Sequence, residues 1–279
     1  MSDNTTSPDD DRTVHDATKR RREVRTRYAE IATGSAACCD DTEPTSCCGD
    51  TELERADRSR LVGYSDGDRA AVEPGADLGL GCGNPTAIAA IENGDTVLDL
   101  GSGGGFDCFL AAREVGDDGR VIGVDMTPEM VERARENAET NDASNVEFRL
   151  GEIEHLPVAD ESVDVITSNC VVNLSPDKPQ VFREAYRVLR PGGRLTISDV
   201  VSTAALPPDV RTDPESITGC IAGASPIPEL ETMLRDVGFV DVSIDPNAKS
   251  QAFIREWADA YDPSEFVVAA TIDGQKPTT

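Results

Sequence analysis

Long apolar runs, positive charge and histidine are all scarce in this chain, and each scarcity excludes something. No apolar run approaches the roughly 18 residues of a membrane span. The opening Met1-Ser2-Asp3-Asn4 has neither the basic region nor the apolar stretch of an export signal, so a cytoplasmic protein without a membrane partner is expected. Only 26 Lys and Arg stand against 53 Asp and Glu, a net charge of −27, and the only lysines are Lys19, Lys178, Lys249 and Lys276. Such a surface repels nucleic acid and opposes its own compaction at low ionic strength. At about 1 M salt the Debye length falls to roughly 3 Å, which points to a halophilic, high-salt cytoplasm. The two histidines, His15 and His155, sit in no ligand-like pattern, and there is no C-x-x-C pair of the zinc-finger kind.

Cysteine and glycine are what is there. The eight cysteines are Cys38, Cys39, Cys47, Cys48, Cys82, Cys108, Cys170 and Cys220. Without an export signal, metal, metalloid or redox work is a better reading of them than structural disulfides. The glycines concentrate in Thr96-Val97-Leu98-Asp99-Leu100-Gly101-Ser102-Gly103-Gly104-Gly105-Phe106, with helical apolar spacing from Phe106 to Val115. Strand, tight turn and helix in that order place backbone N–H groups against a ligand. A dinucleotide fingerprint would need a third glycine where Phe106 stands. The pattern is instead D-x-G-x-G-x-G, from Asp99 to Gly105, and it resembles the cofactor loop of class I S-adenosylmethionine (SAM) methyltransferases. An acid beside the loop suits a cationic sulfonium ligand better than a pyrophosphate. Arg120-Val121-Ile122-Gly123-Val124-Asp125 then supplies a strand ending in a carboxylate, about 20 residues on, suited to ribose hydroxyls. A plain βα turn is the bland alternative; Asp99, Asp125 and the element order together weigh against it.

The rest of the chain orders itself around that loop. Residues 1–13 read as an acidic tail without structure. Residues 14–63 read as a helix over Val14 to Ala32 followed by a polar cysteine-rich loop. Residues 64–279 read as the main domain. Lys19-Arg20-Arg21-Arg22 reads as a solvated helix face. Cys82, between glycines and before Asn84-Pro85, is expected exposed at a loop tip, with a short helix over Pro85 to Ile91. Thr127-Pro128-Glu129 opens a helix with threonine as its N-cap. Strands are expected at Val146 to Leu150, Ser162 to Asn169 and Arg194 to Val201. A helix from Ser175 to Leu189 is expected to stop at Arg190-Pro191-Gly192-Gly193. Leu206 to Ala224 reads as irregular and Ile227 to Val237 as helix. Two last strands, Phe239 to Ile244 and Phe266 to Ile272, flank a helix near Ser250 to Tyr261. Alternating strands and helices make an α/β, doubly wound, Rossmann-like sheet.

Cys170 falls just past a central strand, while Cys82 precedes the first strand and Cys220 follows the fifth, so all three can reach one sheet edge. Three converging thiolates suit a soft, trigonal ion. Cys108, on an apolar helix face, reads as a small buried hydrophobe. The segments Gly79-Leu80-Gly81-Cys82-Gly83-Asn84-Pro85, Gly123-Val124-Asp125-Met126-Thr127-Pro128, Ser168-Asn169-Cys170-Val171-Val172-Asn173-Leu174 and Gly219-Cys220-Ile221-Ala222-Gly223 are similar to those of the arsenite methyltransferases, from about Tyr64 onward. The resemblance implies a sheet ending in an antiparallel hairpin. It also implies As(III) held by Cys82, Cys170 and Cys220, and SAM held by Asp99, Gly101, Ser102, Gly103, Gly105, Asp125, Met126, Glu152, Ile153 and Asn169. The substrate it implies is arsenite or its thiol conjugates. Methylation oxidises arsenic, so a cysteine pair among Cys38, Cys39, Cys47 and Cys48 is expected to return electrons and to be reduced by thioredoxin or a small thiol. Two rivals are a SAM methyltransferase of a small organic metabolite, and a non-enzymatic As(III) or Sb(III) scavenger. The intact glycine loop argues against the scavenger.

Overall fold

The computed structural model of the protein describes residues 8–34, 58–258 and 260–279. Seven strands form one sheet: β1 (Thr96–Leu100), β2 (Arg120–Asp125), β3 (Val146–Leu150), β4 (Val163–Asn169), β5 (Leu189–Ser202), β6 (Val240–Pro246) and β7 (Val267–Gln275). Their spatial order is β3-β2-β1-β4-β5-β7-β6. The first five are parallel, and β7 runs antiparallel to both β5 and β6. This is the doubly wound sheet with an antiparallel end that was expected.

β1 lies mid-sheet because its residues are apolar towards both faces. Leu98 and Leu100 pack with Ile122, Val124, Ile166 and Phe182 on one side. Val97 packs with Phe109, Val115, Val121 and Val165 on the other. Successive side chains alternate faces, so one short run anchors two cores. The chain leaves β1 towards β2 and later returns on the far side as β4, which opens a crevice at the carboxyl ends of these two strands. The α-helices around the sheet include α1 (Pro8–Thr33), α2 (Asp66–Ala70), α3 (Phe106–Val115), α4 (Pro128–Thr140), α5 (Lys178–Val188), α6 (Pro208–Thr212), α7 (Pro214–Thr218), α8 (Ile227–Val237) and α9 (Gln251–Ile254), of which α1 and α3 wall the crevice. No helix among the described residues is long and apolar enough to cross a membrane.

Several boundaries differ from the sequence reading, each for a local reason. α1 begins at Pro8 rather than Val14, so part of the expected unstructured tail is helical; proline at a helix start forfeits no hydrogen bond. Pro85 to Ile91 makes only one turn, closed by Ala89 N–H to Pro85 O at 3.0 Å. Thr127 is the N-cap of α4, but its side chain makes no capping bond. β5 starts at Leu189 and runs through the Pro-Gly-Gly expected to be a stop. Gly192 takes φ +84° there and its N–H donates to Lys276 O, so the turn residues are absorbed into the sheet end. Leu206 to Ala224 contains α6 and α7, and the Ser250 to Tyr261 helix shrinks to the four residues of α9.

Candidate active site

The glycine turn after β1 is bolted to β2. Gly101 and Ser102 N–H both donate to Val124 O, at 2.7 and 3.1 Å, and Gly103 N–H donates to Asp125 Oδ2 at 3.0 Å. Gly101 and Gly103 have φ of +71° and +50°, which an L side chain resists. A Cβ on Gly101 would collide with Val171, whereas one on Gly103 would meet open space. The turn therefore leaves a backbone-lined hollow. Asp99, Gly101, Ser102, Gly103, Asp125, Met126, Ile153 and Asn169 line this cavity together with Cys170. Two of the expected cofactor residues do not: Gly105 caps α3 in left-handed conformation, and Glu152 faces Arg21 at 3.5 Å.

The cavity is built for positive charge. Burial pushes the Asp99 carboxyl well above the usual carboxylate range, and neighbouring Asp107 and Asp125 push it further. Asp107 is raised to about 6 by burial, although Tyr64, Asn169 and Thr86 hydrogen-bond its charged form. Burial also raises Asp125, against the N–H donors of Thr127 and Gly103. Acids that cannot all ionise together favour a cationic ligand. Ser102 Oγ is buried with no hydrogen-bond partner among the described residues. An orphaned hydroxyl, a hollow at Gly103 and an acid ring fit a sulfonium-bearing SAM.

Beside this cavity lies a thiol corner. Cys170 follows β4 with φ +58°, and Cys220 has φ +66°. Left-handed backbone at a non-glycine residue costs on the order of 1–3 kcal/mol, so the surroundings impose it. The Cys220 thiol donates to Cys170 O at 2.7 Å. The Cys82 and Cys170 sulfurs and a carboxylate oxygen of Asp199 all lie within 4.8 Å of one another. Burial pushes the Cys170 thiol well up, and its hydrogen bonds with the thiols of Cys220 and Cys82 add to that. Burial likewise raises Cys82. Cys82, Cys108, Cys170 and Cys220 are all free and buried.

Cys82 is thus not exposed at a loop tip as its neighbours suggested. Its N–H donates to Asn169 Oδ1 at 3.0 Å, and Asn169 Nδ2 donates to Tyr64 Oη, Gly83 O and Asp107 Oδ2 at 2.9, 2.8 and 3.2 Å. Asn169 draws the Cys82 loop onto the end of β4. Cys108 is a buried packing residue, as expected, with its thiol 3.4 Å from Asp99 Oδ2. The basic run of α1 is not simply a solvated face. Arg20 donates to Asn173 O at 2.6 Å and Leu174 O at 3.1 Å, and Arg21 pairs with Glu154 at 3.2 Å. Arg21, Val24 and Tyr28 of α1 cover the cavity. Cys38, Cys39, Cys47 and Cys48 lie outside the described residues.

Sequence reasoning missed Tyr64, Asp107, Asp199 and Asn173. Asp199 accepts hydrogen bonds from Asn173 N–H, Asn173 Nδ2 and Val200 N–H at 3.0, 2.9 and 2.8 Å, and so pins the turn after Cys170. Burial raises it to about 6. Its signal was available: an acid inside the buried run Ile197-Ser198-Asp199-Val200-Val201 is as conspicuous as Asp99 in β1.

Comparison with known proteins agrees with this geometry. A methyltransferase-domain family model matches residues 91–256. An arsenite methyltransferase of Halobacterium salinarum is 59% identical over 267 residues, covering 94% of this chain and 68% of the relative. The human arsenite methyltransferase is 44% identical over 152 residues, 51% of this chain and 40% of the relative, so this chain spans less than half of that protein's length. The crystal structure of an arsenic(III) S-adenosylmethionine methyltransferase from Chlamydomonas reinhardtii aligns with a TM-score of 0.59 at 37% identity, covering 79% of this chain and 72% of that one.

Proposed function

The chain belongs to the arsenite methyltransferases, and from that premise we propose that it transfers a methyl group from SAM to As(III) held by Cys82, Cys170 and Cys220, in arsenic detoxification. One observation carries the reading: Cys170 both lines the cofactor cavity and sits in the thiol corner, so the two reactants share a wall. The hollow over Gly101 to Gly103, with Asp99 and Asp125 beside it, is where SAM would be held. When bound, SAM supplies an electrophilic methyl on a sulfonium.

The chain's residues do the rest by placement. Burial favours the protonated form of Cys82 and Cys170 while the corner is empty, and each thiol that binds gives up its proton as a sulfur–arsenic bond forms. Asp199 and Asn169 are positioning residues that keep the Cys170 turn and the Cys82 loop in register. Arsenic loses no proton when it is methylated, so no general base is required. Holding both partners in register can lower the barrier by on the order of 7–11 kcal/mol. Methylation takes two electrons from As(III). A dithiol among Cys38, Cys39, Cys47 and Cys48 returns them by closing to a disulfide with release of two protons, and thioredoxin or a small cytoplasmic thiol reopens it.

Serine variants test the reading. Cys82→Ser, Cys170→Ser and Cys220→Ser should each lose tight As(III) binding by dialysis and arsenic mass spectrometry, with SAM affinity by calorimetry unchanged. Full As(III) binding by any two of the three variants would reject the three-thiol site.

A further inference from the structure

A second cavity plays no part in that mechanism. It lies across the Ser175-Pro176 segment, which lines both cavities. Three cations face it: Arg20 of α1, Lys178 at the start of α5 and Arg211 of α6; the one acid is Glu229 of α8. In a chain with twice as many acids as bases, that concentration runs against composition.

The cations there lack contact ion pairs among the described residues. Arg20 and Lys178 are partly buried, and neither makes an ion pair among the described residues. Their donors go to neutral acceptors: Arg20 to Asn173 O and Leu174 O, Lys178 to Gly223 O and to Ser225 Oγ at 3.1 Å. Burial lowers Lys178 to about 8 and lowers Arg20 as well. Asp199 and Glu229 act on Lys178 without contact and offset its burial only in part, and a buried cation without a paired counter-charge is costly. Donors are left over. Lys178 has three N–H bonds and uses two, and Arg20 has five and uses two. The exposed Arg211 has no side-chain partner among the described residues.

The cavity also adjoins the third cysteine. Ala222 and Gly223 form part of its wall, two and three residues after Cys220. Gly223 O, three residues after Cys220, accepts a hydrogen bond from Lys178. An anion seated on these cations would hold its attached group against the thiol corner. Soft As(III) prefers sulfur, so a group that arrives carrying arsenic is a thiol.

We propose that this second cavity binds the carboxylates of a small anionic thiol that delivers As(III) to Cys220. The proposal rests on Cys220 being an arsenic ligand. In the delivery step the carrier's sulfur–arsenic bond breaks and the Cys220 sulfur–arsenic bond forms. The Cys220 proton leaves on the carrier's sulfur, and no electron changes owner.

The test is the rate at which the full chain takes up As(III) from two carriers, followed by rapid gel filtration and arsenic mass spectrometry. One carrier is the glutathione complex, which bears carboxylates; the other is the neutral 2-mercaptoethanol complex. Uptake from glutathione should be at least about tenfold faster, the size of one charge-assisted hydrogen bond. Arg211→Gln, at an exposed position, and Lys178→Met should erase that advantage and leave mercaptoethanol delivery unchanged. S-methylglutathione should slow only the glutathione route. Equal rates from both carriers, or variants that slow both alike, would overturn the proposal. Inorganic sulfate competing as well as S-methylglutathione would reduce the cavity to a plain anion site and also overturn it. Uptake from neither carrier would instead strike the arsenic-binding reading, and this inference with it.

Discussion

Replacing Asn169 with alanine isolates what organises the site. Its side chain makes four hydrogen bonds, to Cys82 N, Tyr64 Oη, Gly83 O and Asp107 Oδ2. A net 0.5–1.5 kcal/mol per bond gives a stability loss of about 2–6 kcal/mol, to be read by urea titration in 2 M KCl. The sharper consequence is local. Gly81 packs so closely on Asn169 that a Cβ there would lie 2.5 Å from Nδ2. Without the amide, the Gly81-Cys82-Gly83 segment loses its side-chain hydrogen bonds to β4 among the described residues. As(III) affinity should therefore fall by more than tenfold, while a control on the neighbouring strand β5, Thr196→Ala, should lose stability alone. Thr196 bonds Asp273 at 2.8 Å, away from the cysteines. Unchanged As(III) affinity in Asn169→Ala, with stability down as calculated, would show that Cys82 is placed by something else.

Four further outcomes follow from the same contacts. Gly101→Ala must abandon φ +71° and displace Val171, the neighbour of Cys170, so SAM binding measured by calorimetry should be lost. Cys108→Ala should keep As(III) stoichiometry and methylation within about twofold, since that thiol faces Asp99 and not the corner. Asp107 and Asp199 bind protons more tightly in the native state, at about 6, than in the unfolded chain, near 3.8. Their stabilisation is then greatest below about pH 4 and is lost as pH rises towards 6, up to about 3 kcal/mol for each; Asp199→Asn should flatten that slope in pH-dependent unfolding. Melting temperature should rise between 0.1 and 2 M KCl as the net charge of −27 is screened; no rise would contradict the halophilic reading.

The parts of the site that were legible in the sequence are those whose chemistry is local. Asp99, the glycines and Asp125 sit within single elements, and their conformation follows from residue type: positive φ at Gly101 and Gly103, a strand into Asp125. The convergence of Cys82, Cys170 and Cys220 needed only element order. What stayed hidden depends on partners far along the chain. Cys82 looks exposed among glycines until Asn169, 87 residues on, accepts its N–H. Arg20 looks solvated until it meets Asn173 and Leu174, more than 150 residues away. The Pro-Gly-Gly before Arg194 looks like a stop because its sheet partners, Lys276 and Pro277, come at the chain's end. Local propensity has no access to such contacts.

One chain that brings SAM and a three-thiol As(III) site to a common wall should methylate arsenic. Arsenic speciation by chromatography and mass spectrometry tests it, after mixing the protein with SAM, thiol and arsenite in high salt. Methylated arsenicals from the wild type and none from Cys170→Ser, with both proteins binding SAM, is the expected result. Unreacted arsenite from a folded, SAM-binding wild type would contradict it and turn the search to an organic methyl acceptor.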